Sequence, residues 1–294
     1  SFFVVYIYIN FFFNSFLTSA YGCGQPNYPP VLSRVMGGKD ACPHSWPWQI
    51  SLQYRSGGSW YHHCGGTLIS EEWVLTAAHC LYNSLNYRMH LGKHNMYEEE
   101  SGSIIIYISK IVIHPGWNSN NLRNDIALIK LQTPVTLSDT ISPACLPPDG
   151  HVLPHNAPCY VTGWGRQNTS GPISGALQQA VLRVVDYATC SRSDWWGSQV
   201  TQKMICAGGD GVVAGCTGDN GGPLNCAGSN GIWEVHGVLS HMSPNTCLIL
   251  KRPNIFTRVS AYIDWISSVS VLWQQTCRQI KLHVLLDSVY HYRN

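Results

Sequence analysis

From Val35 onward this chain of 294 residues is a succession of short apolar runs cut by Gly, Pro, Asn and Ser. The breaks come about every ten residues, and that rhythm constrains the fold more than any other feature. The runs include Trp48 to Tyr54, Gly66 to Ile69, Ile104 to Ile113 and Ile126 to Leu131. In the second half come Cys159 to Thr162, Val181 to Val185 and Trp233 to Leu239. Each is strand length and too short for a buried helix, so the chain reads as antiparallel β-sandwiches or barrels. A Pro-rich stretch from Ser142 to Gly150 suits a connection between two halves. Only Val259, Tyr262, Ile263, Ile266 and Val269 recur at helical spacing, after the polar Ser260. Residues 269–294 carry no clear period and read as a tail.

Composition removes several function classes. Charged residues make up 12 %, about half the usual share, while 45 % are hydrophobic and 11 % aromatic, which excludes disorder. A net charge of +2 supplies no basic field for nucleic acid and no acidic tail. The 12 cysteines lie between residues 23 and 277 with no C-x-x-C pair, so zinc ribbons and redox motifs are disfavoured. Scattered cysteines in a charge-poor chain point to disulfides and an oxidising, extracellular setting. Residues 1–20, apolar from Phe2 to Leu17 and ending in Thr18-Ser19-Ala20, read either as a signal-peptide core or as a mistranslated start. The run is short for a membrane span.

Three segments carry chemistry. Leu75-Thr76-Ala77-Ala78-His79-Cys80 sets a histidine beside a cysteine, and Asn124-Asp125-Ile126-Ala127-Leu128 places an acid at the head of an apolar strand. Gly218-Asp219-Asn220-Gly221-Gly222-Pro223 is a glycine-dense loop. Taken singly, the histidine reads as a core residue and the acid as a turn residue. Their order and neighbours make chance a poor explanation.

Together with Ser45 to Gln49, Cys159 to Arg166, Asp194 to Gly197, Ala207 to Val212 and Asp264 to Ile266, these segments resemble the chymotrypsin-fold serine peptidases over residues 35–268. The similarity is greatest to the pancreatic elastase type 2 and chymotrypsin C branch. It implies an all-β fold of two antiparallel six-stranded barrels, about 35–145 and 150–258, with a C-terminal α-helix. It also implies His79 as general base, Asp125 as its buried orienter, and an oxyanion hole from the backbone N–H groups of Gly218 and Asn220.

The family pattern Gly-Asp-Ser-Gly-Gly-Pro is broken here, because Asn220 stands at the serine position. A carboxamide nitrogen is delocalised and offers His79 no hydroxyl proton to take. A second departure is Met242, where the family's Ser-aromatic-Gly strand places a glycine after Ser240 and His241, so Met242 is expected to obstruct the specificity pocket. Ala214 and Gly215 at the pocket floor give no counter-ion for Lys or Arg, which leaves an ancestral preference for medium or large apolar side chains. Two lesions in one cleft favour an inactive homologue. Two alternatives stay open: an active digestive endopeptidase carrying serine at 220, and a secreted binding protein without turnover.

The resemblance further implies a propeptide at 21–34, cut after Arg34 by a trypsin-like protease so that the Val35 amine pairs with Asp219. It implies the disulfides Cys23–Cys145, Cys64–Cys80, Cys159–Cys226, Cys190–Cys206 and Cys216–Cys247, leaving Cys42 and Cys277 over. Those two read as free thiols, or as a weak sixth pair. The expected partners are polypeptide substrates or inhibitors and the activating protease, with no nucleic acid or membrane, around a monomer. Asn168-Thr169-Ser170 is a glycosylation sequon. Glu98-Glu99-Glu100 lies where relatives can hold calcium, although such an acid run more often marks a solvated hairpin. No metal spacing occurs among the 13 histidines, so no metal or other cofactor is expected.

Overall fold

Two adjacent glycines set the register of the first hairpin. Gly57 and Gly58 have φ of 56° and 84°, the left-handed pair that a two-residue turn matched to strand twist requires. They join β2 (Gln49–Ser56) to β3 (Ser59–Leu68) in the computed structural model, which describes residues 22–31, 38–82, 85–167, 171–228, 231–243 and 246–270. The first sheet continues with β4 (Trp73–Thr76), β5 (Tyr87–Leu91), β6 (Ile104–Ile113) and β7 (Ala127–Leu131). It closes as an antiparallel barrel in the order β2-β3-β4-β7-β6-β5. Its strands read as strands should. β5 alternates fully buried Tyr87, Met89 and Leu91 with half-buried Arg88 and His90. β7 is buried throughout, its one charge, Lys130, lying 3.3 Å from Glu72.

The second barrel comprises β8 (Pro158–Gly163), β9 (Gln178–Val185), β10 (Met204–Ala207), β11 (Pro223–Ala227), β12 (Trp233–His241) and β13 (Asn254–Arg258). These pair in the order β8-β9-β10-β13-β12-β11, and β11 returns to β8. The fold is therefore two closed antiparallel six-stranded barrels, as the strand rhythm and the resemblance lead one to expect. The helical spacing near the end resolves into two pieces. Val259–Ala261 forms a 3-10 turn, and the α-helix runs over 263–270, the two separated at Tyr262 by its φ of −133°.

Segments cross between the halves and hold them together. β1 (Lys39–Asp40) precedes the first barrel in sequence but pairs with β9 of the second. The helix follows the second barrel, yet Trp265 meets His114, one residue past β6, with ring centroids 5.1 Å apart. Five disulfides add covalent ties: Cys23–Cys145, Cys64–Cys80, Cys159–Cys226, Cys190–Cys206 and Cys216–Cys247. Among the described residues Cys42 is a free cysteine, and Cys277 lies outside them.

Polar side chains stitch the barrel interface. Trp48 Nε1 donates to Asn225 Oδ1 at 2.8 Å, and Trp46 Nε1 donates to Gln179 Oε1 at 3.0 Å. Asn225 in turn donates to the Tyr160 carbonyl and to Thr162 Oγ1, while Thr162 donates to Gln49 Oε1 at 2.6 Å. Trp48 and Asn225 are wholly buried, so a lost partner strands an indole N–H away from water. Replacing Asn225 with Leu is expected to cost about 1–3 kcal/mol of folding stability, measured by chemical denaturation.

Candidate active site

His79 sits in a 3-10 turn, Ala78–Cys80, directly after β4. The Cys64–Cys80 bond pins that turn to β3, so the imidazole has little freedom to leave. Asp125 leads into β7 with no exposed surface. Its Oδ1 accepts from the His79 backbone N–H at 2.9 Å and its Oδ2 from His79 Nδ1 at 2.7 Å. Ser240 Oγ, on β12, donates to the same Oδ2 at 2.5 Å. Burial pushes the Asp125 carboxyl up, but the bonds from His79 and Ser240 outweigh it and hold the group below the ordinary carboxylate range. An ionised carboxylate on Nδ1 fixes the proton there and leaves Nε2 of the neutral ring as an acceptor.

Asn220 faces that acceptor. Its Nδ2 lies 3.2 Å from His79 Nε2 and donates to the Ser240 carbonyl at 3.0 Å. The amide thus gives a hydrogen bond to the imidazole and cannot yield a proton to form a nucleophile. Around it the backbone is tight. Gly218 has φ of 103°, and a Cβ at Gly221 would lie 2.4 Å from Thr76 Oγ1. A Cβ at Gly65, on β3, would lie 2.8 Å from Gly222 Cα, so the two barrels meet through glycine on both sides.

Of two histidines that the sequence reading did not assign, one supports this loop and the other lies beside Ser240. His62 Nε2 bonds the Gly218 carbonyl at 2.8 Å, and its Nδ1 bonds Ser51 Oγ at 2.8 Å. Burial holds His62 down to about 4, so it is a neutral structural group. His241 Nδ1 lies 3.2 Å from Ser240 Oγ, its ring 5.7 Å from Trp196, and burial likewise lowers it to about 4.

At the pocket floor, Ala214 and Gly215 are joined by a residue that was missed. Asn254 is 1 % exposed, accepts from Gly215 N at 2.7 Å and donates to Gly215 O at 3.1 Å. Its signal was a carboxamide at the head of β13, ahead of the apolar pair Ile255 and Phe256. Met242 is half-buried against the cluster of Val161, Val213, Leu239 and Phe256, so its side chain turns inward.

This arrangement of buried acid, histidine and glycine loop at a two-barrel interface matches the trypsin family model over residues 35–266. The chain belongs to the trypsin family. It is 58 % identical to chymotrypsin-C of Bos taurus over 257 residues, spanning 87 % of this chain and 96 % of that protein. Chymotrypsin-C of Mus musculus is 54 % identical over 252 residues, 85 % of this chain and 94 % of its own length. Chymotrypsin-like elastase family member 1 of Rattus norvegicus is 51 % identical over 251 residues, again 85 % and 94 %.

Two further expectations concern the Glu98–Glu100 run and Asp219. Lys93, buried, donates from Nζ to the Glu98 carbonyl and lies 3.5 Å from Glu100 Oε2. The Glu100 carboxylate also accepts from His94 N and Asn95 N, and Glu99 is exposed. An ammonium thus stands where a divalent cation would need its oxygens, and this donor set does not fit calcium. Cys64, His79 and Cys80 also come together, but their two sulfurs are already bonded to each other.

Asp219 is half-buried and lines a cavity of about 310 Å³ together with Gly38, Gly163, Gly165 and Cys216. It accepts from Gly165 N at 2.7 Å and Cys216 N at 2.8 Å. Arg34, Val35 and the sequon at 168–170 lie outside the described residues. Burial raises Asp219 to about 6. The folded carboxyl therefore holds its proton more tightly than the unfolded one. Its contribution to stability is complete below the unfolded pKa of 3.8 and lost as pH rises through about 6. The uncut protein should lose on the order of 3 kcal/mol relative to Asp219→Asn across that window, as measured by urea denaturation at each pH.

Proposed function

We propose that this chain is a secreted zymogen of the elastase and chymotrypsin C type whose cleft meets polypeptides without turning them over at a peptidase rate. The carrying observation is the Asn220 amide 3.2 Å from His79 Nε2. Peptide cleavage needs a nucleophile to attack the scissile carbonyl while His79 takes its proton, then a return of that proton to the leaving amine. The amide supplies neither the electron pair nor the proton. Loss of serine from a comparable triad costs about 10⁶-fold in rate, about 8 kcal/mol.

The specificity pocket supports the same reading. Met242 turns inward at the mouth, and Asn254 with Gly215 forms a polar floor, so a large apolar side chain meets two obstacles. The remaining roles follow the family: Asp125 orients His79, Gly218 and Asn220 present the oxyanion N–H groups, and Ser240 lines the substrate strand. Extracellular residence is supported by five disulfides. The partners are polypeptide substrates or inhibitors and a trypsin-like activator acting on a monomer.

The test is turnover of peptide amides with apolar side chains by the activated protein beside Asn220→Ser. The unmodified protein is expected at background, and the variant at a rate higher by several orders of magnitude, up to about 10⁶-fold. Equal, peptidase-like turnover by both overturns the reading. If Asn220→Ser alone stays silent, adding Met242→Gly is expected to recover activity by opening the pocket. Trypsin treatment should also expose a Val35 N-terminus while Cys23–Cys145 keeps the cut segment attached, which sequencing under non-reducing and reducing conditions detects.

A further inference from the structure

Apart from the cleft, the second barrel carries an apolar tip with a basic collar. Leu248 and Leu250 are 47 % and 67 % exposed, and Val212 on the neighbouring loop is 43 % exposed. The two loops that carry them adjoin. Val212 and Leu248 line the same cavity, and a Cβ at Gly211 would lie 3.6 Å from Leu250 N. Single exposed leucines are ordinary on soluble proteins, but a cluster at the end of a loop is not.

The tip is built to stay in place. Cys247, bonded to Cys216, anchors its start. Lys251 takes φ of 59°, Arg252 N donates to the Ile249 carbonyl at 3.1 Å, and Lys251 N donates to Gly209 O at 2.8 Å. On the adjoining loop, Val212 N and Val213 N both donate to Asp210 Oδ1. The leucines are thus held outward by a locked turn, and no side chain of the described residues folds over them to remove them from water.

Around the tip lie three cations, Arg192, Lys251 and Arg252, and two carboxylates, Asp194 and Asp210. Lys251 Nζ is 2.9 Å from Asp194 Oδ2, Arg192 Nε is 3.1 Å from Asp194 Oδ1, and Arg252 donates to the Asp194 carbonyl. Arg252 also stacks over Trp196 at 5.8 Å. Two acids do not neutralise three bases, so the collar keeps a net positive charge beside the exposed apolar residues. Apolar residues ahead of basic ones match an anionic lipid surface, whose acyl boundary takes the former and whose headgroups take the latter.

We propose that the Leu248–Arg252 tip, with Val212, docks the protein on anionic lipid membranes. No helix of the described residues is long and apolar enough to cross a membrane, and the proposed contact is a peripheral one. Its use does not depend on the identity of residue 220. The experiment is co-sedimentation of the full chain with phosphatidylcholine vesicles, with and without phosphatidylserine. Binding is expected only with phosphatidylserine and should weaken with salt. It should fall about tenfold in Leu248→Ser/Leu250→Ser and about fivefold in Lys251→Ala. Residues 1–20 are common to all these proteins, so differences between variants report the tip. Circular dichroism and melting of the variants check that exposed substitutions leave the fold intact. Equal binding by wild type and the double-leucine variant, or no preference for phosphatidylserine, overturns the proposal. Binding to neither vesicle overturns it in favour of a protein partner.

Discussion

The carboxylate of Asp125 is the point at which the two barrels become one structure. It belongs to the first barrel, yet it accepts from Ser240 of the second, and its own carbonyl accepts from Thr257 Oγ1 at 2.7 Å. A buried charge left without partners costs several kcal/mol, and this one has donors from His79 backbone, His79 ring and Ser240. Those donors exist together only when β4, β7, β12 and β13 are assembled. The requirement to satisfy one carboxylate therefore fixes the imidazole's tautomer, its orientation and the mutual position of the barrels.

The glycine loop obeys a steric constraint of equal force. Gly65 and Gly222 allow the backbones of the two halves to touch, and Gly163 and Gly165 leave room for Asp219, where a Cβ would come within 2.1 and 2.4 Å of its carboxylate oxygens. Nothing in these contacts refers to what residue 220 does. The loop's shape is set by backbone packing and by Asp219, so the geometry around residue 220 does not depend on that side chain's chemistry.

Legibility in the sequence followed the range of the interactions. The strand rhythm sufficed for β5, with its strict alternation, and for β7, an apolar run headed by Asp125, because strand periodicity is local. His79 and Asp125 were readable because each lies in a distinctive segment. Pairing of Lys39–Asp40 with β9 was not readable, since two residues have no periodicity and their partner lies some 140 positions away, at Gln178 and Gln179. Asn254 was missed for the same reason: its role is two bonds to Gly215, 39 residues upstream. Lys93 reads as a surface charge until the hairpin folds its ammonium onto Glu98 and Glu100. His62 resembled any strand histidine until the second barrel brought Gly218 to it.

Asn220 shows why fold and chemistry separate so cleanly at this position. A carboxamide can donate to both the Ser240 carbonyl and His79 Nε2, so both protons of the Asn220 amide nitrogen are paired. A carboxamide here therefore carries little penalty in stability, while under the proposed function it forgoes a step worth about 8 kcal/mol of transition-state stabilisation. Selection for folding alone would not oppose it. Met242 and Asn254 behave alike, the first gaining apolar contacts and the second satisfying Gly215 on both sides. Each of the three residues is well accommodated as a structural element, so the packing around the cleft is satisfied without reference to a substrate.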